Sequence, residues 1–466
     1  MPRPNILFIT TDQHRFDTLG CHGHPLVKTP HLDALAADGL DFTRAFVQNP
    51  VCVPSRACLQ TGRYTHQHGV TYMEEVIDST PGLPSWEPTY MEQLQAHGYA
   101  TAAMGKIHMY PEKGFDRQEL TGGKGVRWLQ AQGQRIGPAP LGPAYAAWLE
   151  AKRPGAYESI YAARRAQEPY RDIGLFENPL SNAEYVETWI AERSAQVLRE
   201  RPADRPFFLW SGFCGPHDPW DPPEPYRSLY RPEDQTLPDE FPGWPSWRGR
   251  WDEAAVRRMR AYYLGMVTCI DDHIGRLLGE LRTSGLYDET LIIFTTDHGE
   301  FLGERGRTGK GLFFDSILRV PFIIKPPRST GFRPRRLDQV TENFNLAPTI
   351  LDYAGLTPPA AMTARSLRPL IEDRPGAAAA CRPAAFSEFA SHDRLTRGKC
   401  IRTATHKYVR WLPSGREELY ELAGDPLEKE NLATSAALAG EKAALKDALY
   451  DWLAETGPAQ HPAGAP

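Results

Sequence analysis

Asn5-Ile-Leu-Phe-Ile-Thr-Thr-Asp12 near the start of the chain and Thr290-Leu-Ile-Ile-Phe-Thr-Thr-Asp-His298 far downstream carry the fold. Each is a short, uninterrupted apolar run rich in β-branched residues and bounded by polar sequence. Such a run reads as a strand buried on both faces, the kind found in parallel sheets covered by helices. Further strands are expected at Phe42–Val47, Tyr99–Met104, Pro206–Gly212 and Val320–Lys325. Helices alternate with them. One is opened by Thr29-Pro30 and followed by Gly39; others span Ser55–Thr61, Met91–Ala96 and Ala183–Arg199. The longest, Glu253–Thr283, repeats Val256, Met259, Tyr263, Met266, Ile270, Ile274, Leu277 and Leu281 at helical spacing before Gly285. This alternation predicts an α/β fold, a large mostly parallel sheet sandwiched by helices.

The texture changes twice. Residues 114–179 are rich in Gly, Pro, Trp and Arg without a sustained period, and are expected to form an inserted lid around a pocket. An Ala/Pro/Gly linker over 374–385 leads to short strands at Cys400–Thr405 and Lys407–Leu412 and a final helix. The predicted organisation is a catalytic α/β domain over 1–373 and a smaller C-terminal α+β subdomain, a short antiparallel sheet plus helix, over 374–466.

The 466 residues are 41% apolar and 24% charged, with 53 basic and 58 acidic side chains and a net charge of −5. That balance argues against a nucleic-acid partner, which would need a basic excess. No run approaches the roughly 18 apolar residues of a membrane span. Seven cysteines without a CxxC pair fit free thiols in a reducing, cytoplasmic setting better than a disulfide framework.

Ligand sites of open parallel sheets gather outside the carboxyl ends of the strands. Asp12 and Asp297-His298 both stand at such exits and could converge on one divalent cation; taken singly, each also reads as a turn or N-cap aspartate. Cys52-Val-Pro-Ser-Arg56 puts a thiol at an expected helix start beside a guanidinium, which suits a tetrahedral oxyanion. The competing reading is a buried structural cysteine. His66 and His68 do not share a helical face and are read as loop or pocket-wall residues. The Trp-rich run Phe241–Trp251 is read first as domain packing.

Cys52-Val-Pro-Ser-Arg56, continued by Ala-Cys-Leu-Gln-Thr-Gly-Arg63, resembles the signature of the sulfatase family within the alkaline phosphatase superfamily. The resemblance runs on in order through Met104-Gly-Lys-Ile-His108, Pro216-His217, Thr295-Thr-Asp-His-Gly-Glu300, Lys310, Arg319-Val-Pro321 and Glu418–Leu432. Asp12-Gln13 and Asp297-His298 replace the Asp-Asp and Asp-Asn pairs of many members. Both changes resemble the branch of phosphonate monoester hydrolases, bacterial arylsulfatases and choline sulfatases.

The resemblance implies a sulfatase that releases inorganic sulfate from small sulfate monoesters, with phosphonate monoester or phosphodiester hydrolysis as the alternative. It implies that a maturation enzyme converts Cys52 to formylglycine, whose hydrate attacks sulfur through one hydroxyl and regenerates the aldehyde through the other. It implies one divalent metal on Asp12, Gln13, residue 52, Asp297 and His298, Ca²⁺ before Mn²⁺ or Mg²⁺. Arg56 would then hold the nucleophile's oxygen, Lys106 and Lys310 the sulfate oxygens. His217 would protonate the leaving group, and His108 would take the proton that frees the aldehyde.

Overall fold

The structure is a computed structural model and describes residues 3–72, 82–109, 111–122, 143–166, 173–391 and 393–457. Its main sheet has eight strands: β1 (Asn5–Asp12), β2 (Leu40–Phe42), β4 (Ala100–Gly105), β5 (Arg117–Leu120), β6 (Phe207–Pro216), β7 (Thr290–Thr296), β9 (Phe322–Lys325) and β10 (Arg335–Leu337). Their order across the sheet is β10-β2-β9-β7-β1-β6-β4-β5. The central run from β7 to β5 is parallel throughout, and only β9 opposes its neighbours β7 and β2. A mostly parallel sheet is therefore what the two apolar runs specify.

The pleat divides the core. Ile6 and Phe8 of β1 and Ile293 of β7 point into one apolar layer; Leu7, Ile9, Ile292 and Phe294 point into the other. Each fully buried side chain of this kind contributes roughly 1.5–3 kcal/mol. Helices α1 (Pro30–Asp38), α3 (Val186–Glu200) and α4 (Glu253–Thr283) cover the second layer, and α2 (Cys52–Thr61) lies on the first. The 31-residue α4 starts at Asp252, whose side chain accepts from Ala255 N–H. In its middle, Asp271 accepts the His31 and Leu32 N–H groups at 3.1 and 2.7 Å, docking the first turn of α1.

Several sequence expectations are corrected locally. The strand expected over Phe42–Val47 is broken at Thr43 and Arg44. Leu40–Phe42 stays in the main sheet, and β3 (Ala45–Phe46) joins a small three-stranded sheet with β8 (Arg319–Val320) and β11 (Thr341–Glu342). Val320–Lys325 is likewise divided at Pro321, which has no N–H for a ladder. The helix expected from Ser55 begins three residues earlier, at Cys52, because Pro54 is tolerated in a first turn. The expected lid carries β5 on the sheet edge and helices at Pro143–Lys152 and Ala156–Ala166; residues 123–142 and 167–172 of it lie outside the described residues.

A four-stranded antiparallel sheet follows: β12 (Ala385–Ala390), β13 (Arg397–Arg402), β14 (His406–Leu412) and β15 (Glu417–Glu421), with helix α5 (Ala439–Thr456). It is fastened to the main sheet by charge. The fully buried Lys407 of β14 reaches Asp315, the Phe313 carbonyl at 2.8 Å and Glu428 at 2.5 Å. Arg402 pairs with Asp315 at 2.9 Å. Arg305 lies between the Phe241 and Phe314 rings, 3.9 and 3.5 Å from their centroids, and donates to the Leu427 carbonyl. The Trp-rich run is thus a packing element, with Trp247 buried and Trp244 edge-on to Phe314. His66 and His68 lie in a helical turn over Thr65–His68; His66 bonds Glu388 of β12 at 2.7 Å and His68 bonds Cys58 at 3.3 Å, so both are structural and the first ties that turn to the second sheet.

Candidate active site

Four neighbouring parallel strands end on one rim. β7 delivers Asp297 and His298, β1 delivers Asp12 and Gln13, β6 delivers His217 after Pro216, and β4 delivers Lys106 and His108. The sheet order β7-β1-β6-β4 places these exits side by side, although the sequence spreads them over nearly three hundred residues. Into the rim points the first turn of α2, with Cys52 at its start and Arg56 one turn on. Sulfur and carboxylate or imidazole atoms of Asp12, Cys52 and His108 lie within 4.8 Å of one another, as do those of Cys52, Asp297 and His298. Lys310 comes from the loop after β7 and donates to Gln13 Oε1 at 2.9 Å and towards Cys52 Sγ at 3.6 Å.

The centre is buried and heavily charged. Arg56, fully buried, donates Nε to Asp297 Oδ2 at 2.7 Å and Nη2 to Asp12 Oδ2 at 3.2 Å. Nη1 reaches the Lys106 carbonyl and Nη2 the Thr11 carbonyl, each at 3.1 Å. Four of the five guanidinium N–H donors are thereby used on the scaffold. The expected hold on a nucleophile's oxygen is left a single N–H, and the main work of Arg56 is to fix two carboxylates. Lys106 Nζ lies 2.5 Å from Asp12 Oδ2. Burial would raise the Asp12 carboxyl, but Lys106, then His217, Lys310 and Arg56, hold it well below the usual range. Burial pushes the Cys52 thiol up despite Lys310, so the unmodified side chain is not an activated thiolate.

The donors fit a cation. Asp12 Oδ1 and His298 Nε2 are buried atoms without a hydrogen-bond partner among the described residues. They lie 3.9 Å apart, and His298 Nε2 is 3.7 Å from Asp297 Oδ1. His298 Nδ1 donates to the Gly299 carbonyl at 2.8 Å, which leaves the Nε2 lone pair facing the two carboxylates. Burial pushes His298 down to about 4, so the ring is neutral at neutral pH, as a ligand must be. Two carboxylate oxygens and one imidazole nitrogen in a water-poor cage suit a divalent ion.

His217 follows the cis Gly215-Pro216 bond, and its Nδ1 donates to the Asp218 carbonyl at 2.6 Å. Burial, then the Lys310 charge, lower it from the ordinary imidazole value. His108 adopts φ 56°, and burial followed by Lys106 keeps it neutral. Tyr72 and Phe389 meet edge to face at 6.5 Å, and Phe389 lies beside Gly311, next to Lys310.

Some positioning residues carried no assigned role in the sequence. Tyr263 looked like one more core position of the long helix; its hydroxyl donates to the Gln13 carbonyl at 2.7 Å and accepts Arg15 N–H at 2.8 Å. Glu187 of α3 accepts Cys214 and Gly215 N–H at 3.1 and 2.7 Å, fixing the exit of β6. Glu300 stands inside the quoted Thr295–Glu300 motif. Fully buried, it accepts from Gln13 Nε2 and from the Leu302 and Gly309 N–H groups. One carboxylate thus turns the Gln13 carbonyl oxygen towards Lys310 and shapes the loop that carries Lys310. In Glu300→Gln the amide must still serve Leu302 and Gly309 with its oxygen, so its NH₂ faces Gln13 and drives that side chain to flip. Affinity for added Ca²⁺, read by calorimetry, is expected to fall by about 10–100-fold, and the Gln13 flip is read in a crystal structure.

Residues 4–356 match the family model described as Sulfatase, and residues 303–455 match that of the N-sulphoglucosamine sulphohydrolase C-terminal region. The chain is 31% identical to an arylsulfatase of Clostridium perfringens, with 93% of this chain and 91% of the relative aligned. It is 26% identical to an N-acetylglucosamine-6-O-sulfatase of Bacteroides thetaiotaomicron, over 96% and 86% of the two chains. Among solved structures it superposes on the phosphonate monoester hydrolase of Agrobacterium radiobacter with a TM-score of 0.78 and 26% identity, covering 98% and 96% of the chains.

Proposed function

We propose, from the premise that this chain belongs to the sulfatase family and hydrolyses sulfate monoesters, that the work is done at the rim by residue 52 matured to formylglycine and one divalent cation. Ca²⁺ is favoured over Mn²⁺ or Mg²⁺ on the family resemblance, while the His298 nitrogen admits the other two. The carrying observation is that Cys52 has its sulfur within 4.8 Å of donor atoms of Asp12 and His108 on one side and of Asp297 and His298 on the other, a spacing at which they could share one ion. The domain division at about residue 373 and a separate maturation enzyme belong to the same proposal. So does a reducing, cytoplasmic setting, which is supported by seven cysteines outside any disulfide.

The cation, when bound, supplies positive charge to sulfate oxygens and lowers the pKa of an oxygen nucleophile. Asp12, Asp297 and His298 hold it, with Gln13 and residue 52 completing the set. Arg56 keeps both carboxylates in register, so the site is pre-formed before substrate arrives. Lys106 and Lys310 flank residue 52 and neutralise the non-bridging sulfate oxygens as charge builds. His217 presents Nε2 for the leaving-group oxygen because Nδ1 is committed to Asp218. His108, neutral and within reach of residue 52, accepts the proton whose loss restores the aldehyde.

The test compares 4-nitrophenyl sulfate with a matching phosphonate monoester on the matured enzyme. A sulfate preference of about tenfold or more in kcat/KM, some 1.4 kcal/mol of transition-state discrimination, is expected. A phosphonate preference would install the alternative, which Gln13 and His298 keep in view. Intact mass checks residue 52: conversion of thiol to aldehyde removes roughly 18 Da, whereas cysteine oxidation adds mass.

A further inference from the structure

We infer a second metal site, for a zinc-type divalent ion, built from Cys21, His22 and Asp41 and separate from the rim that carries residue 52. Cys21 and His22 lie in the 3-10 turn Gly20–His22 between β1 and α1, and Asp41 lies in β2, two strands beyond β7. Their sulfur, ring nitrogen and carboxylate oxygen fall within 4.8 Å of one another.

The surroundings orient each donor. His22 Nδ1 donates to the Phe16 carbonyl at 2.8 Å, which turns Nε2 onto Asp41 Oδ1 at 2.9 Å. A backbone carbonyl on the far ring nitrogen is the usual partner of a metal-binding histidine. Phe16 stacks on the imidazole at 3.9 Å and fixes its plane. The turn is pinned by Gly20 N–H to Thr29 Oγ1 and Cys21 N–H to Asp33 Oδ1, each at 2.8 Å. Asp41 Oδ2 is buried without a hydrogen bond; the Arg336 guanidinium, 3.3 Å away, faces it from outside. A cavity of about 370 Å³ beside the turn is lined in part by His22 and His24.

Charge selects the ion. Asp33 and Asp41 against Arg336 leave the cluster one negative charge while the thiol keeps its proton. A dication entering would displace that proton to solvent, form the sulfur–metal bond and bring the cluster to neutrality. Sulfur, imidazole and carboxylate together prefer zinc, whereas two carboxylates and an imidazole around residue 52 accept harder ions. The competing arrangement is an imidazolium His22 paired with Asp41 and no metal.

Co²⁺, a coloured stand-in for Zn²⁺, tests this on the full chain. With Ca²⁺ in excess to fill the rim, Co²⁺ titrated through two equivalents is expected to give a sulfur-to-cobalt charge-transfer band in the near ultraviolet that Zn²⁺ removes. The band should persist in Cys52→Ser and vanish in Cys21→Ser, with affinity about tenfold or more weaker in His22→Asn and Asp41→Asn. Absence of the band, its survival in Cys21→Ser, or its loss in Cys52→Ser overturns the site. If Cys21→Ser does not fold, the other two ligand variants decide: the cobalt band of folded His22→Asn and Asp41→Asn must need about tenfold or more Co²⁺ to saturate, and unchanged affinity in both refutes the assignment.

Discussion

Cys52→Ala is expected to lower kcat for 4-nitrophenyl sulfate by about 10⁵-fold or more, the scale seen when a nucleophile is removed from a pre-formed site. The fold should survive, because the side chain is small and opens the first turn of α2 without belonging to either apolar layer of the core. Arg56, Lys106 and Lys310 remain in place, so affinity for inorganic sulfate is expected to change less than threefold or so. Cys52→Ser makes a sharper case. One hydroxyl can attack sulfur, but the resulting ester has no second hydroxyl to expel sulfate by C–O cleavage, so at most one turnover per chain is expected. Rapid-mixing measurement of released 4-nitrophenol reads this directly. Steady turnover by either variant would remove residue 52 from the chemistry and leave the cation centre to act alone.

Lys407→Met is expected to cost about 3–5 kcal/mol in urea unfolding, because it strands buried carboxylates without their ammonium. Lys407 is fully buried, and the same Nζ serves Asp315, Glu428 and the Phe313 carbonyl. Burial holds Glu428 up to about 7 in the intact network, while Lys407 and Arg402 hold Asp315 well below the usual range despite burial. Removing the ammonium raises Glu428 further. A carboxyl with a raised folded pKa favours the folded state when protonated, so the deficit of the variant should be largest above pH 7 and shrink as the pH falls through 7. Adding Glu428→Gln should recover part of the loss at pH 8, which separates stranded charge from lost packing. Phe313 and Asp315 follow Lys310 closely in the chain, so this clasp also steadies the loop that carries Lys310.

The sheet was legible because its strands are buried on both faces and therefore apolar without interruption. β1, β4, β6 and β7 were each expected within a few residues of where they lie, and the long helix from Glu253 to Thr283 was bounded to the residue. Its register of core positions, however, hid Tyr263, since a hydroxyl aimed at the Gln13 carbonyl has the same spacing as one packed in the core. Strands of two or three residues, such as Leu40–Phe42 and Ala45–Phe46, carry too few positions to show a period, and their division between two sheets depends on partners far along the chain.

The amino-acid order alone determined the parallel sheet and the strand exits holding Asp12 and Asp297, because these follow from local hydrophobicity; the lysines and histidines expected around Cys52 came from the family resemblance. Only the tertiary structure decided that Arg56 spends its donors on two carboxylates, that Glu300 orients Gln13, and that Lys407 locks the second sheet to the first. Those choices turn on which polar groups meet inside a water-poor core. Burial leaves each of them a single set of partners, which the folded chain brings from segments far apart in sequence.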